Sequence, residues 1–217
     1  MNFEQARYNM IEQQIRTWEV LDQRILDLLG EMHREDFVPD AYRNLALADI
    51  QIPLLHDQVT MTPKVEARLL QSLAIQASDR ILEIGTGCAY LTSVLARAGQ
   101  HVTSVDLFED FTRQAGDKLS RHQITNVTLE TGDAIKGWSR GKTFDVIVLT
   151  GSLPVLDPCF QEQLEPMGRM FVITGTLPVM EAQLITRVGE NEWSKESLFE
   201  TTIPPLIGAK EPERFRF

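Results

Sequence analysis

The pattern of apolar and polar positions divides the chain into a helical N-terminal part and a longer part in which strands alternate with helices. In residues 4–29, apolar side chains recur three or four positions apart, with an interruption at residues 17–20. This spacing predicts two consecutive amphipathic helices. Pro39 and Pro53 then break the pattern, so residues 37–53 are expected to form a short helix followed by a loop.

From residue 62 onwards, short apolar runs alternate with amphipathic stretches. Thr62 followed by Pro63 is typical of a helix N-terminus, and this helix is predicted to continue to about residue 77. Strands are predicted at residues 80–84, 101–105, 127–130, 144–149 and 169–174, and helices at residues 90–98, 108–122 and 156–164. Such alternation requires right-handed parallel crossovers, and it predicts an α/β, doubly wound, mostly parallel sheet.

The last part of the chain has a different pattern. Residues 183–188 and 193–199 flank the turn sequence Gly-Glu-Asn-Glu at 189–192, which predicts an antiparallel hairpin at the sheet edge. Pro204, Pro205 and the charged end from Lys210 are expected to form an extended, frayed terminus.

Composition narrows the functional class. The 217 residues carry a formal charge of −10, which argues against binding to the phosphates of a duplex nucleic acid. No apolar run is long enough to span a bilayer, and residues 1–14 lack the apolar stretch of a signal peptide. Only Cys88 and Cys159 are present, and no spacing of Cys and His suggests a metal site. The cytoplasm is therefore the expected compartment.

Candidate chemistry lies at the carboxyl ends of the predicted strands, where open α/β sheets bind ligands. Gly85 and Gly87 follow the first strand and allow the backbone to approach a ligand closely. Tyr90 stands where a dinucleotide fingerprint has its third glycine, which favours a cofactor without a pyrophosphate. Asp106 ends the second strand, and its carboxylate can accept the hydroxyls of a ribose.

Two further strand ends complete this series. Gly132-Asp133-Ala134 follows the third strand, where Asp133 could accept a hydrogen bond from an adenine amino group, and Thr150 follows the fourth strand. Each feature also has a purely structural interpretation, because glycines form turns and Asp106 or Asp133 can cap a helix. The occurrence of several such features in the expected order favours a site for S-adenosyl-L-methionine (SAM).

These motifs resemble known enzymes in two ways, one broad and one narrow. Residues 83–87 (EIGTG), 132–133 (GD) and 144–147 (FDVI) resemble class I SAM-dependent methyltransferases with a Rossmann-like fold. A narrower resemblance, to protein-L-isoaspartate O-methyltransferases, covers about residues 10–175. It is carried by residues 10–16 (MIEQQIR), 36–39 (DFVP), Tyr42, 132–138 (GDAIKGW) and 164–169 (LEPMGR).

The resemblance implies an enzyme that methylates the carboxylate of isoaspartyl residues in damaged proteins, so that they can return to aspartate. Damaged proteins or peptides would then be the substrates, and SAM the cofactor. We expect one domain over residues 1–217, with N-terminal helices and a substrate loop at 1–62, a cofactor core at 63–175 and C-terminal strands at 176–217. The implied cofactor-binding residues are Glu83, Gly85, Thr86, Gly87, Asp106, Leu107, Gly132, Asp133, Ala134 and Thr150.

The loop before Pro63 departs from the family pattern. The family has a glycine-rich loop ending in Thr-Ile-Ser-x-Pro, and alignment on this proline puts Met61 at the serine and Val59 at the threonine. Leu55 and Asp57 stand where the family has glycines. Thr60 and Thr62 flank the altered position and are the candidate catalytic hydroxyls, although Thr62 is equally suited to be a plain helix cap.

The expected reaction needs no general base, because a carboxylate is already ionised at neutral pH. His56 stands beside Asp57, but adjacent side chains rarely pair in an extended chain, so we interpret His56 as a loop residue without a catalytic role. Two alternatives remain open: a class I methyltransferase for a different acceptor, favoured by the apolar replacements in the loop, and a SAM-binding protein without turnover.

Overall fold

A seven-stranded sheet forms the centre of the computed structural model, which describes residues 2–138 and 141–212. The strand order is β3-β2-β1-β4-β5-β6-β7. Strands β1 to β5 are parallel, and β6 and β7 continue the sheet as an antiparallel hairpin. The strands are β1 Arg80–Ile84, β2 His101–Asp106, β3 Val127–Thr131, β4 Phe144–Leu153, β5 Leu164–Thr176, β6 Val179–Gly189 and β7 Glu192–Thr201. The prediction of a doubly wound α/β fold with an edge hairpin is confirmed.

Six α-helices surround this sheet within the described ranges. They are α1 Phe3–Met10, α2 Gln23–Glu31, α3 Pro63–Leu73, α4 Tyr90–Ala98, α5 Glu109–Arg121 and α6 Pro158–Glu162. The predicted interruption of the N-terminal helical part is present: α1 continues through a π-turn and a short 3-10 turn and ends at Glu19, whose φ of 61° is left-handed. Asp22 then caps α2 by accepting a hydrogen bond from the backbone N–H of Arg24.

The two faces of the sheet are covered by separate hydrophobic clusters. Ile81 of β1 and Val146 of β4 belong to the cluster that includes the N-terminal helices and α4. Leu82 and Ile147, their immediate neighbours along the strands, belong to the cluster that includes Phe160 of α6. This alternation is that of strands buried on both faces.

Several predicted boundaries were wrong, and the reasons are local. Helix α6 is shorter than the predicted 156–164, because Asp157 caps its N-terminus and β5 already begins at Leu164. Strand β4 extends beyond residue 149 to Leu153, because its last residues pair with β5.

The prediction of a frayed C-terminal segment was also wrong for residues 203–207. The backbone N–H of Ser152 donates to the carbonyl of Pro204 (3.0 Å), and the N–H of Leu206 donates to the carbonyl of Ser152 (2.9 Å). The buried Ser152 hydroxyl donates to the carbonyl of Ile203 (2.9 Å). The segment therefore lies along the end of β4. The charged end predicted from Lys210 falls largely outside the described residues.

Among the helices of the described ranges, none has the length and apolar character that crossing a bilayer requires.

Candidate active site

An open cleft lies at the carboxyl ends of the parallel strands and has a volume of about 760 Å³, including the part open to solvent. Eight of the ten predicted cofactor-binding residues line it, namely Gly85, Gly87, Asp106, Leu107, Gly132, Asp133, Ala134 and Thr150. These residues come from the ends of four different strands. The topology therefore brings together side chains that are up to 65 positions apart, as the hydrogen bond between Thr150 and Gly85 illustrates.

Glycines after β1 form the floor of this cleft. Gly85 has a φ of 99°, and a Cβ atom there would lie 2.0 Å from the hydroxyl oxygen of Thr150. That hydroxyl donates to the carbonyls of Ile84 and Gly85, both at 2.9 Å, which holds the end of β4 against the turn. Gly87 is also left-handed, with a φ of 50°. Only glycine fits this backbone without strain, so the floor of the cleft is bare main chain.

Asp106 is held at the side of the cleft by the backbone around it. Its Oδ2 accepts a hydrogen bond from the N–H of Gly87 (2.9 Å), and its Oδ1 accepts one from the N–H of Phe108 (3.0 Å). Burial raises the pKa of the Asp106 carboxyl, although these N–H donors act in the opposite direction. The carboxylate is thus fixed in orientation, with Leu107 exposed beside it at the rim.

After β3, the Trp138 ring packs closely against Gly132, and Asp133 forms a local turn. A Cβ atom on Gly132 would lie 2.5 Å from the Trp138 ring, so this glycine lets the indole cover the backbone. The indole Nε1–H donates to Glu130 (2.9 Å). Asp133 lines the cleft and also accepts the N–H of Ile135 (3.0 Å), so its structural interpretation and its functional one are compatible.

Two predicted cofactor residues do not line the cleft. The alternation along β1 directs Glu83 away from it into the core under α4, where Oε2 accepts the hydroxyls of Ser104 (2.5 Å) and Thr92 (2.6 Å). Burial raises the pKa of Glu83 to about 8. Thr86 bonds with the Ser104 hydroxyl (2.7 Å) and lines a smaller neighbouring cavity. Glu83 thus supports the glycine turn from behind rather than lining the cleft.

Residues 52–60 form a hairpin over the cleft, which we name the site hairpin. Thr60 and Ile52 pair twice: the Thr60 N–H donates to the Ile52 carbonyl, and the Ile52 N–H donates to the Thr60 hydroxyl, both at 3.0 Å. Leu54 donates to the carbonyl of Gln58 (2.8 Å), and His56 and Asp57 make the turn with φ values of 56° and 55°. The altered loop of the sequence is therefore an ordered two-residue turn of the primed type.

The two candidate hydroxyls face different spaces. Thr60 is buried and lines the smaller cavity together with Gly85 and Thr150. Thr62 lines a separate groove on the other side of the hairpin, and Met61 contributes to both spaces. Thr62 occupies the N-cap position of α3, but its side chain makes no capping bond. Its hydroxyl is buried without a hydrogen-bond partner among the described residues.

The groove runs past the start of α3 and the edge hairpin and has a volume of about 1030 Å³, including open solvent. Lys64 stands in its wall, paired with Asp49 (2.6 Å) and 4.4 Å from the ring centre of Trp18. Exposed apolar side chains, Ile50 and Val179, form part of its rim. The groove shares Ile203 with the cleft, so the two spaces are neighbours.

Sequence reasoning missed the wall that the C-terminal segment contributes. Residues 203–207 line the cleft, and the side-chain amide of Gln51 donates to the carbonyl of Thr202 (2.7 Å), which joins this segment to the site hairpin. An apolar cluster around Pro204 and Pro205 in an otherwise polar tail was the signal available in the sequence.

Arg34 is a second feature that the sequence did not reveal. Its side chain is fully buried and pairs with Glu66 of α3 (3.1 Å). Its guanidinium also donates to the carbonyls of Met61 (2.7 Å) and Ala46 (2.8 Å). The backbone beside both candidate hydroxyls is thus fixed by a buried, multiply bonded cation.

Comparison with solved structures agrees with this architecture. The structure of the Plasmodium falciparum beta-aspartate methyltransferase (PCMT) in complex with S-adenosyl-L-homocysteine (SAH) has a TM-score of 0.78 over 95% of this chain and 98% of that chain, at 16% identity. A protein-L-isoaspartate O-methyltransferase structure has a TM-score of 0.76 over 93% of this chain and 66% of that chain, at 23% identity. The two likenesses show a shared fold.

Sequence comparisons are more specific. Protein-L-isoaspartate O-methyltransferase of Rhodopseudomonas palustris is 31% identical over 202 residues, which cover 93% of each chain. The enzyme of the same name from Magnetococcus marinus is 33% identical over 86% of this chain and 82% of its own. The family model for Protein-L-isoaspartate(D-aspartate) O-methyltransferase (PCMT) matches residues 5–210. With this match over nearly its full length, the chain belongs to the protein-L-isoaspartate(D-aspartate) O-methyltransferase family.

Proposed function

We propose that this protein transfers a methyl group from SAM to the carboxylate of isoaspartyl residues in proteins and peptides. Membership of the family supports the proposal, and so do relatives of that name that match over most of both chains. The observation that carries it is the convergence of four strand ends on one cleft, with a bare glycine floor and an oriented carboxylate at Asp106.

The residues of the cleft suit SAM. Gly85 and Gly87 bring main chain without side chains to the lining of the cleft, and Asp106 presents a fixed acceptor to ribose hydroxyls. Apolar side chains such as Leu107 and Phe108 are available to contact an adenine ring. Asp133 can accept a hydrogen bond from the adenine amino group, as the sequence predicted.

The main task of the protein in this reaction is to position the reacting groups. Bound SAM supplies an electrophilic methyl carbon on a sulfonium sulfur, and in-line attack by a carboxylate oxygen yields a methyl ester while the bonding electrons return to sulfur. A free carboxylate has a pKa near 4, so it attacks without a general base. The protein must hold the attacking oxygen in line and orient it with hydrogen-bond donors.

We assign that orienting role to Thr62 and Thr60. Thr62 offers a buried hydroxyl with no partner among residues 2–138 and 141–212, and such a hydroxyl gains about 1–3 kcal/mol when an acceptor reaches it. Thr60 lies on the cofactor side, where its oxygen already accepts the Ile52 N–H and its proton remains available to donate. In this proposal the substrate polypeptide lies in the groove, and its carboxylate passes beside Met61.

A second candidate function is methyl transfer to a different, less polar acceptor. The apolar side chains between the groove and the cofactor side favour it, because Met61 and Ile203 are both 5% exposed and present no hydrogen-bond donor. A polar acceptor must cross this apolar partition, whereas an apolar one would gain contact area there.

A direct assay distinguishes the two candidate functions. The protein is incubated with methyl-labelled SAM and a matched pair of peptides, one isoaspartyl and one aspartyl, and base-labile methyl esters are counted. We expect label on the isoaspartyl peptide alone. SAH binding without label on either peptide would overturn the isoaspartyl assignment in favour of another acceptor or a binding role without turnover.

We further propose that the reaction takes place in the cytoplasm and serves protein repair. Both cysteines are free, with Cys88 buried, which suits a reducing compartment. Isoaspartyl sites arise in ageing proteins, so the substrates would be damaged polypeptides rather than one dedicated partner.

A further inference from the structure

The tip of the site hairpin is attached to the opposite wall of the cleft through one side chain, His56. Its ring stacks on Phe108 with 3.9 Å between ring centres and 7° between planes. It meets the Phe111 ring edge-on at 5.6 Å, and its Nε2 lies 2.8 Å from Oδ2 of Asp110. We name these four residues the clasp.

The three partners of His56 all belong to the segment that follows β2. This segment starts directly after Asp106, and both Phe108 and Phe111 line the cleft. The hairpin contributes Leu54, Gln58 and Val59 to the same lining. The clasp therefore connects two walls of the cofactor cleft that are otherwise far apart in the chain.

The hairpin also touches the floor of the cleft. A Cβ atom on Gly87 would lie 3.3 Å from Cδ1 of Leu54, so Leu54 packs directly over the glycine turn. The pairing of Leu54 with Gln58 and of Ile52 with Thr60 keeps the hairpin itself rigid. Hence the attachment of its tip decides whether Leu54 stays over the turn.

We propose that His56 is a positioning residue that holds the site hairpin closed over bound cofactor, so that cofactor release requires the clasp to open. The proposal rests on the proposed function, because it assumes that the cleft binds SAM and SAH. It assigns His56 to cofactor retention and leaves proton transfer out of its role.

Histidine suits the role because it combines two kinds of contact. A flat imidazole stacks on a benzyl ring, and an ionised carboxylate can only accept, so Nε2–H donates to Asp110. Both polar side chains are partly exposed, at 38% and 29%, so this polar contact alone contributes little. The stacking and the hydrogen bond together are expected to account for about a tenfold change in cofactor affinity.

The experiment measures the dissociation constant and dissociation rate of labelled SAH for a set of variants. We expect His56→Ala to raise both about tenfold, with the thermal unfolding midpoint little changed. His56→Phe, which keeps the stacking and loses the donor, should raise both about threefold.

His101→Ala is the matched control. It also removes a histidine and one hydrogen bond, in this case to Thr128 (2.9 Å), but at the start of β2 and away from the cleft. It should leave SAH release unchanged.

Two results would overturn the proposal, and they are distinguishable. Equal SAH release from wild type and from both His56 variants would overturn the clasp while leaving the proposed function intact. Absence of SAH binding to the wild-type protein would overturn the proposed function and the clasp together.

Discussion

In the proposed function, the cofactor side and the acceptor side of the site are built in different ways. The cofactor side consists of strand ends, where Gly85, Gly87 and Asp106 are fixed by the backbone of neighbouring parallel strands. The acceptor side consists of the site hairpin and the C-terminal segment, joined by a hydrogen bond between Gln51 and Thr202 across 151 positions. One side depends on local main-chain geometry, the other on contacts between residues that are far apart in the sequence.

The difference explains which part of the sequence keeps its family pattern. The turn at the floor tolerates almost no substitution at Gly85, because a Cβ atom there would lie 2.0 Å from the Thr150 hydroxyl oxygen. A surface of side chains can change its chemistry while the hairpin stays intact. Val59 and Met61 illustrate this, since they lie within and directly after the site hairpin, whose two strands remain paired.

The largest effect is expected for Gly85→Ala, on the cofactor side. The new Cβ atom would lie 2.0 Å from the Thr150 hydroxyl at a φ of 99°, so both the turn and the end of β4 must shift. We expect SAH affinity, measured by calorimetry, to fall at least about a hundredfold. Gly116→Ala, whose Cβ atom meets only Leu129 at 3.7 Å, should bind normally. Normal binding by Gly85→Ala would refute the idea of a backbone floor.

Glu83 lies beneath the glycine turn, and we expect its protonation to make the free energy of unfolding depend on pH. The pKa of Glu83 is raised from 4.5 to about 8 in the folded protein, so between these values the folded state holds a proton that the unfolded state has released. The stabilisation of the fold by protonated Glu83 is complete below about pH 4.5 and is lost as the pH rises through about 8.

Denaturant unfolding at pH 5 to 8 would measure this dependence. We expect Glu83→Gln, a neutral mimic, to remove a pH-dependent loss of about 3 kcal/mol over this range. Glu196→Gln on the exposed strand β7 is the control and should keep the wild-type slope. An unchanged slope in Glu83→Gln would rule out a protonated Glu83.

On the acceptor side, Thr62→Val should lower kcat for an isoaspartyl peptide about tenfold and leave SAH affinity unchanged, because the hydroxyl has no hydrogen-bond partner within the described residues and lies on the groove side. Thr60→Val should also cost stability of about 1 kcal/mol, since it removes the acceptor of the Ile52 N–H. Steady-state kinetics and thermal unfolding separate the two variants. Thr62→Val with wild-type kcat would remove Thr62 from the mechanism.

The smallest effect concerns the rim of the groove. Val179 is 54% exposed there, and Val179→Glu should raise KM for the peptide about threefold by replacing apolar contact with charge near Glu200. Val188→Glu changes an equally exposed valine of the same strand outside the groove and should have no effect. Identical KM values would mean that the polypeptide does not use the groove.

The sequence predicted the strands and helices on the cofactor side well because their signals are local. Periodicity predicted β1 and α4 with the observed bounds, and glycines after a strand identified the turn. The side-chain direction of Glu83 was the exception, since alternation along β1 directs it into the core beneath the turn. A motif at a strand end identifies the neighbourhood of a ligand, while the alternation of the strand decides which side chains reach it.

The acceptor side could not be predicted, because its contacts are not encoded near one another. Near His56 in the sequence, Asp57 was the candidate partner, and we predicted that the two would not pair; the turn carries the imidazole across to Asp110, 54 positions away. Residues 203–207 were interpreted as a frayed end because proline and charge dominate the tail, although Ser152 provides the backbone partners that fix it. Only the tertiary fold brings these partners together.

The bond from Gln51 to Thr202 has a consequence for biosynthesis. During translation, residues 80–153, which carry the glycine turn and the first four strands, emerge well before residue 202. Domains acquire structure progressively as the chain leaves the ribosome. The wall of the cleft formed by residues 203–207 is therefore completed only after all seven strands have been synthesised, and a chain whose synthesis stops before residue 203 lacks it.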